Sequence, residues 1–113
     1  MPSIRDPDVD RLRPLPSRSE LEGRWLQLTR VDLPFAAAQR GWALKYDHCF
    51  QRVLLDGACE GCWYEHVAGR PAYRHASDAL LTRAVELGER LLAGKLDLGE
   101  MNRRSLEWRR RLR

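Results

Sequence analysis

The sequence predicts an all-α fold: a compact bundle of four to five helices preceded by a flexible N-terminal arm. Three observations carry that expectation. Apolar residues recur at spacings of three and four in three separate windows, the period of one helix face. Serine or aspartate stands at the start of each window, twice with glutamate three residues on, as a capping box requires. Glycines follow the windows at Gly41, Gly57 and Gly94, where a left-handed cap closes a helix. At 113 residues the chain is one domain, large enough for a core without disulfide staples. The arm is expected over 1–16 and the single helical domain over 17–113.

The elements follow in order. Pro2, Pro7, Pro14 and Pro16 fall in a stretch with little periodic apolar content, which marks the arm. Ser17 and Ser19 precede Glu20 and Glu22, and Leu21, Trp25, Leu28 and Val31 then form one helix face. Asp32 and Pro34 are expected to stop that helix and start a second over 33–40, capped by Gly41. Asp47 is the expected N-cap of a helix over 48–56 that ends at Gly57 and buries Cys49, Phe50, Val53 and Leu54. A strand competes there, but the apolar residues do not alternate. Glycines at 57, 61 and 69, with Arg70-Pro71, make 58–75 a surface connection. Ser77 or Asp78 caps a helix running to Ala93, with Leu81, Ala84, Val85, Gly88, Leu91 and Leu92 on its buried side. Asp97 caps the last helix, with Glu100 in the first turn, a Leu96–Met101 staple, and a stripe of Leu98, Met101, Ser105, Trp108 and Leu112.

Composition narrows the function classes. Hydrophobic residues make up 43% and charged residues 32%, the balance of a soluble domain. No apolar run approaches the roughly 18 residues of a membrane helix, so no membrane partner is expected. The start has no apolar h-region, and a cytoplasmic location is the expectation. Lys45 and Lys95 are the only lysines among 20 basic residues, a bias typical of a GC-rich bacterial genome. Three cysteines do not make a disulfide framework, so the thiols are expected free or metal-bound. The net charge is +4, and residues 102–113 hold six arginines and one glutamate, so the whole basic excess lies in the tail.

Residues 46–64, YDHCFQRVLLDGACEGCWY, gather the reactive side chains. Cys59-x-x-Cys62 with His48, Cys49 or His66 could make a zinc site, although one CxxC has no second knuckle at the usual spacing. On a helix, His48 and Arg52 are i and i+4 and project together, with Cys49 beside them. An arginine near that thiol would favour thiolate, but adjacent residues on a helix point about 100° apart, a poor nucleophile–base geometry. No phosphate-binding glycine loop, GxSxG elbow or HExxH is present. In the tail, Arg103, Arg104, Arg109 and Arg110 surround one helix and suit phosphates. Trp25 and Trp108 sit on core stripes, whereas Trp42 and Trp63 flank 46–64 and could serve a protein partner.

Asp47-His48-Cys49-Phe50-x-Arg52, Arg70-Pro71-Ala72-Tyr73 and Asn102-x-x-Ser105-Leu106-x-Trp108-Arg109 together resemble a group of short, poorly characterised bacterial proteins. Some of these carry the label GCN5-related N-acetyltransferase. That family builds a mixed β-sheet and binds the coenzyme A pyrophosphate on an Arg/Gln-x-x-Gly-x-Gly/Ala loop, which this chain lacks. The resemblance therefore implies that the three segments form one site, and implies nothing about acetyl transfer.

The expectation for function is a small cytoplasmic binding protein. Its pocket is built from 46–52, the 70–73 turn and the start of the last helix. His48, Arg52, Arg70, Tyr73 and Asn102 supply polar contacts to an anionic ligand, nucleic acid foremost, and no cofactor is expected. The alternatives are a small enzyme, a transferase in type, using Cys49 and His48, and a zinc-stabilised protein-interaction module.

Overall fold

A computed structural model describes residues 16–111, and these form an all-α domain with no strand among them. The expected arm, apart from Pro16, and Leu112 of the last stripe lie outside the described residues.

Helix α1 (Arg18–Gln27) starts on a complete capping box. The Glu20 N–H donates to Ser17 Oγ at 3.1 Å, and the Ser17 N–H donates back to Glu20 Oε1 at 3.5 Å. The expected break at Asp32 and Pro34 does not occur. A π-helical turn, Leu28–Asp32, carries the chain directly into α2 (Leu33–Arg40). The Leu33 N–H donates to the Leu28 carbonyl, and Pro34 sits in the first turn of α2, where its missing N–H breaks no ladder. The extra residue of the wider turn rotates the buried face. Val31, expected inside, is 51% exposed, and Thr29 is buried in its stead. Thr29 Oγ1 donates to the Trp25 carbonyl at 2.9 Å, so its burial leaves no orphan hydroxyl. Gly41 caps α2 in the left-handed region (φ 69°), as expected.

Helix α3 (Asp47–Cys59) is longer than the sequence suggests. Tyr46 is its N-cap and Asp47 its first residue, and it continues through Gly57 to end on left-handed Glu60. Gly57 is therefore an interior position and not a cap. The Leu87 Cδ1 methyl lies 3.3 Å from where a Cβ at Gly57 would stand, so the glycine serves a close helix crossing. Beyond it, 58–75 is more than a surface connection: a 3₁₀ turn (Trp63–Glu65) and a short helix α4 (Ala72–His75) bury Cys62, Val67 and Ala72. Helix α5 (Asp78–Leu92) is capped by Ser77 Oγ, which accepts the Leu80 N–H at 3.1 Å. Helix α6 (Leu98–Arg110) is capped by Asp97, whose carboxylate accepts the Glu100 N–H at 3.2 Å.

Helix α3 is the centre of the bundle, packed on α5, α6 and the π-helical turn. Phe50, Val53 and Leu54 meet Trp25, Leu28, Leu33, Leu81 and Leu91 in one continuous buried cluster. Gly88 of α5 permits the tightest approach. A Cβ there would stand 3.1 Å from Leu54 Cδ1 and 3.2 Å from Leu28 Cδ1. Gly88→Ala gains about 1 kcal/mol of helix propensity against about 1–3 kcal/mol of overpacking. Its expected net cost is about 0–2 kcal/mol, and Gly88→Val should cost distinctly more. Urea midpoints check this, and equal midpoints for Gly88→Val and wild type would contradict the close crossing. No helix among the described residues is long and apolar enough to cross a membrane.

Candidate functional site: a basic and aromatic cleft

One carboxylate in an otherwise apolar helix face positions the site. Asp56 lies on α3 between Leu55 and Gly57 and is wholly buried. It accepts four hydrogen bonds. Ser105 Oγ donates to its Oδ2 at 2.6 Å and Arg109 Nε at 2.8 Å. The Trp63 backbone N–H donates to its Oδ1 at 3.0 Å and Arg109 Nη2 at 3.2 Å. Such a set is what a buried carboxylate needs to remain stable. Its effect is to tie α3, α6 and the 3₁₀ turn to one point. Arg52, one turn earlier on α3, extends the network by donating to Ser105 Oγ and to Asn102 Oδ1, both at 2.7 Å. Ser105 thus accepts from Arg52 and passes its single proton toward Asp56.

Above this network opens a cleft of about 370 Å³, in the range of small-ligand sites. His48, Gln51 and Arg52 of α3 line one side, and Trp63, Tyr64 and Arg109 another. The 70–73 turn closes a third side and Trp25 lies on the floor. Arg18 secures that turn, with Nη2 donating to the Tyr73 carbonyl and Nη1 to Asp78 Oδ1, both at 2.7 Å. No carboxylate lines the cleft. Arg109 is neutralised by Asp56 beneath it, which leaves Arg52 and Arg70 as the uncompensated cations.

The aromatic wall is organised by the same arginines. Trp63 and Tyr64 meet edge to face with centroids 4.5 Å apart. The Arg70 guanidinium stands 5.4 Å from the Trp63 ring and 5.1 Å from the Tyr64 ring, and Arg109 stands 4.8 Å from Tyr64. Hydrogen bonding from Arg109, and then from Arg70, holds the Tyr64 phenol below its ordinary pKa against the opposing effect of burial. Burial penalises the Arg109 charge, yet its hydrogen bonds to Asp56 and Tyr64 outweigh this and raise its pKa.

Four of the five expected ligand contacts, His48, Arg52, Arg70 and Tyr73, line this one cleft although they come from separate segments. The fifth does not. Asn102 stands behind Arg52, holds its guanidinium, and borders a different crevice with Trp42 and Leu98. The three stretches that carry the family resemblance do meet here, with Arg52, Ser105 and Arg109 in one network. Asp56 was not among the expected site residues, since it reads as the end of a helix next to a glycine. The available signal was its place four residues after Arg52, on a face that also carries Val53 and Leu55.

The tail arginines behave differently from one another. Arg103 is paired with Glu100 at 2.7 Å and with Glu107 at 3.1 Å, and Arg104 lies 3.6 Å from Glu100. Arg109 turns inward to Asp56. Arg110 is exposed near the end of α6. Trp108, expected in the core, is half-buried beside Leu87, Leu96 and Met101 in a small apolar groove of about 140 Å³. Trp42 packs on the Phe50 ring with centroids 6.1 Å apart.

The cysteines take no part in the cleft. Cys49, expected on the buried face, is only half-buried, because the face turns toward Phe50 and Val53. Burial pushes the Cys59 thiol up to about 11, and Cys62 is buried. Among the described residues no three His, Cys, Asp or Glu side chains come together as a metal-binding group. Compared with protein-family models, with curated proteins and with solved structures, the chain gives no match.

Proposed function

We propose that this chain is a small binding protein for an anionic ligand, single-stranded nucleic acid foremost, and that the cleft over Asp56 is where it binds. One observation carries the reading. Three arginines, a histidine and the rings of Trp63, Tyr64 and Tyr73 line the same cleft with no carboxylate among them. Unpaired bases offer flat π-faces to such rings and to guanidinium planes, while the phosphates answer the positive charge. A duplex fits less well, because a cleft of this size admits a splayed base and not a groove edge. The arginine-over-lysine bias and the free cysteines support placing the protein in a bacterial cytoplasm.

The outer arginines of α6 are assigned a lesser part. Arg103 and Arg104 are held by Glu100 and Glu107, so a phosphate must displace those carboxylates before it gains from them. Titration of a fluorescent uridine decamer across a salt series tests the reading. Two or three neutralised phosphates predict a slope of log K against log salt of about −1.4 to −2.1. A flat response would contradict nucleic acid.

A further inference from the structure

The cleft floor contains a polar atom whose partner is missing. Trp25 is wholly buried among apolar side chains, and its indole Nε1–H has no hydrogen-bond acceptor among the described residues. Buried donors are paired in the great majority of cases, and an orphan donor weakens the fold unless something else satisfies it. Trp25 also lines the cleft. The missing acceptor can therefore come from whatever occupies that space.

Beside it, Gln51 lines the same cleft with a fixed orientation. Thr29 Oγ1 spends its only proton on the Trp25 carbonyl at 2.9 Å. It can then only accept, so the Gln51 contact at 3.0 Å must come from the amide nitrogen. This locks the side-chain amide, and Gln51 Oε1 is left as an acceptor without a partner among the described residues. The chain of Gln51 to Thr29 to the Trp25 carbonyl places an unfilled acceptor and an unfilled donor at one end of the cleft. Around them stand flat rings, and above them the Arg70 guanidinium.

From this juxtaposition we infer that the cleft takes one nucleobase of its ligand edge-on, with a base carbonyl accepting from Trp25 Nε1–H and a neighbouring base N–H donating to Gln51 Oε1. The inference rests on the nucleic-acid reading and deepens it. The arginines hold the phosphates, and the Trp25–Gln51 pair reads the base. The required chemistry is a planar group carrying an acceptor beside a donor, as on the imide edge of uracil. A sugar-phosphate backbone alone satisfies neither partner.

The test compares a uridine decamer with an abasic phosphodiester of the same length and charge, using the full chain. The decamer should bind about tenfold more tightly, and Trp25→Phe should remove that advantage while leaving abasic binding unchanged. Equal binding of both strands would overturn the base-reading inference and leave the anion-binding reading intact. Failure of either strand to bind would overturn both. If Trp25→Phe does not fold, the wild-type indole ¹⁵N–¹H resonance of Trp25 decides. It can be identified by eliminating the signals lost in Trp42→Phe, Trp63→Phe and Trp108→Phe. That resonance should move with the uridine strand and stay in place with the abasic strand. The same response to both strands would refute the role of Trp25.

Discussion

Asp56→Ala is expected to lower the stability of the domain by about 3–5 kcal/mol. The substitution removes the one acceptor shared by Arg109, Ser105 and the Trp63 N–H. Arg109 would remain mostly buried with its charge unanswered, and such an unpaired ion costs more than the intact pair contributes. Domains of this kind have about 5–15 kcal/mol to lose, so the variant should unfold at a distinctly lower urea concentration. Asp56→Asn keeps the size and one acceptor oxygen, and its cost should be smaller, about 1–3 kcal/mol. A denaturation midpoint for Asp56→Ala equal to that of wild type would show that the network is incidental. The consequence extends to the site, because Asp56 holds both Trp63 and Arg109 where they line the cleft.

Arg70→Glu is expected to weaken binding of a uridine decamer about 100-fold at low salt. The substitution removes an attraction and adds a repulsion of similar size, each worth roughly 1.4 kcal/mol at intermediate dielectric. Arg70 is exposed and its guanidinium contacts only the Trp63 and Tyr64 rings, so the loss should be of affinity and not of fold. Arg104→Glu provides the comparison. Its guanidinium lies on the outer side of α6 near Glu100, and reversal there should change affinity far less. Equal losses from the two variants would move the binding surface from the cleft to the tail.

The sequence made much of this legible. Ser17, Gly41, Ser77, Asp97 and Gly94 marked helix ends that the structure retains, since each acts through its own side chain or its own backbone freedom. What it hid depends on tertiary neighbours. Pro34 reads as a stop because a proline blocks a regular α-helix, and only the wider π-helical turn lets the chain pass. Gly57 reads as a cap, but what it accommodates is the Leu87 side chain from another helix. The cleft was partly visible. His48 and Arg52 share a helix face by spacing alone, and Arg70 and Tyr73 share a turn, but their convergence needed the fold. Asp56 was the least legible residue of all. Its role is set by Arg109 and Ser105, some fifty positions away, and no local pattern signals such a partner. The tail misled in the other direction. Six arginines in twelve residues look like an open basic surface, while Glu100 lies just outside that window and Asp56 far from it.

The most direct measurement is a map of backbone amide shifts in the full, ¹⁵N-labelled chain as a uridine decamer is added. Binding in the cleft predicts that the amides of Gln51, Arg52, Trp63, Tyr64, Arg70 and Tyr73 move together along one saturation curve, while those of Arg103 and Arg104 stay nearly still. Shifts confined to 103–111, with the cleft residues unmoved, would contradict the account.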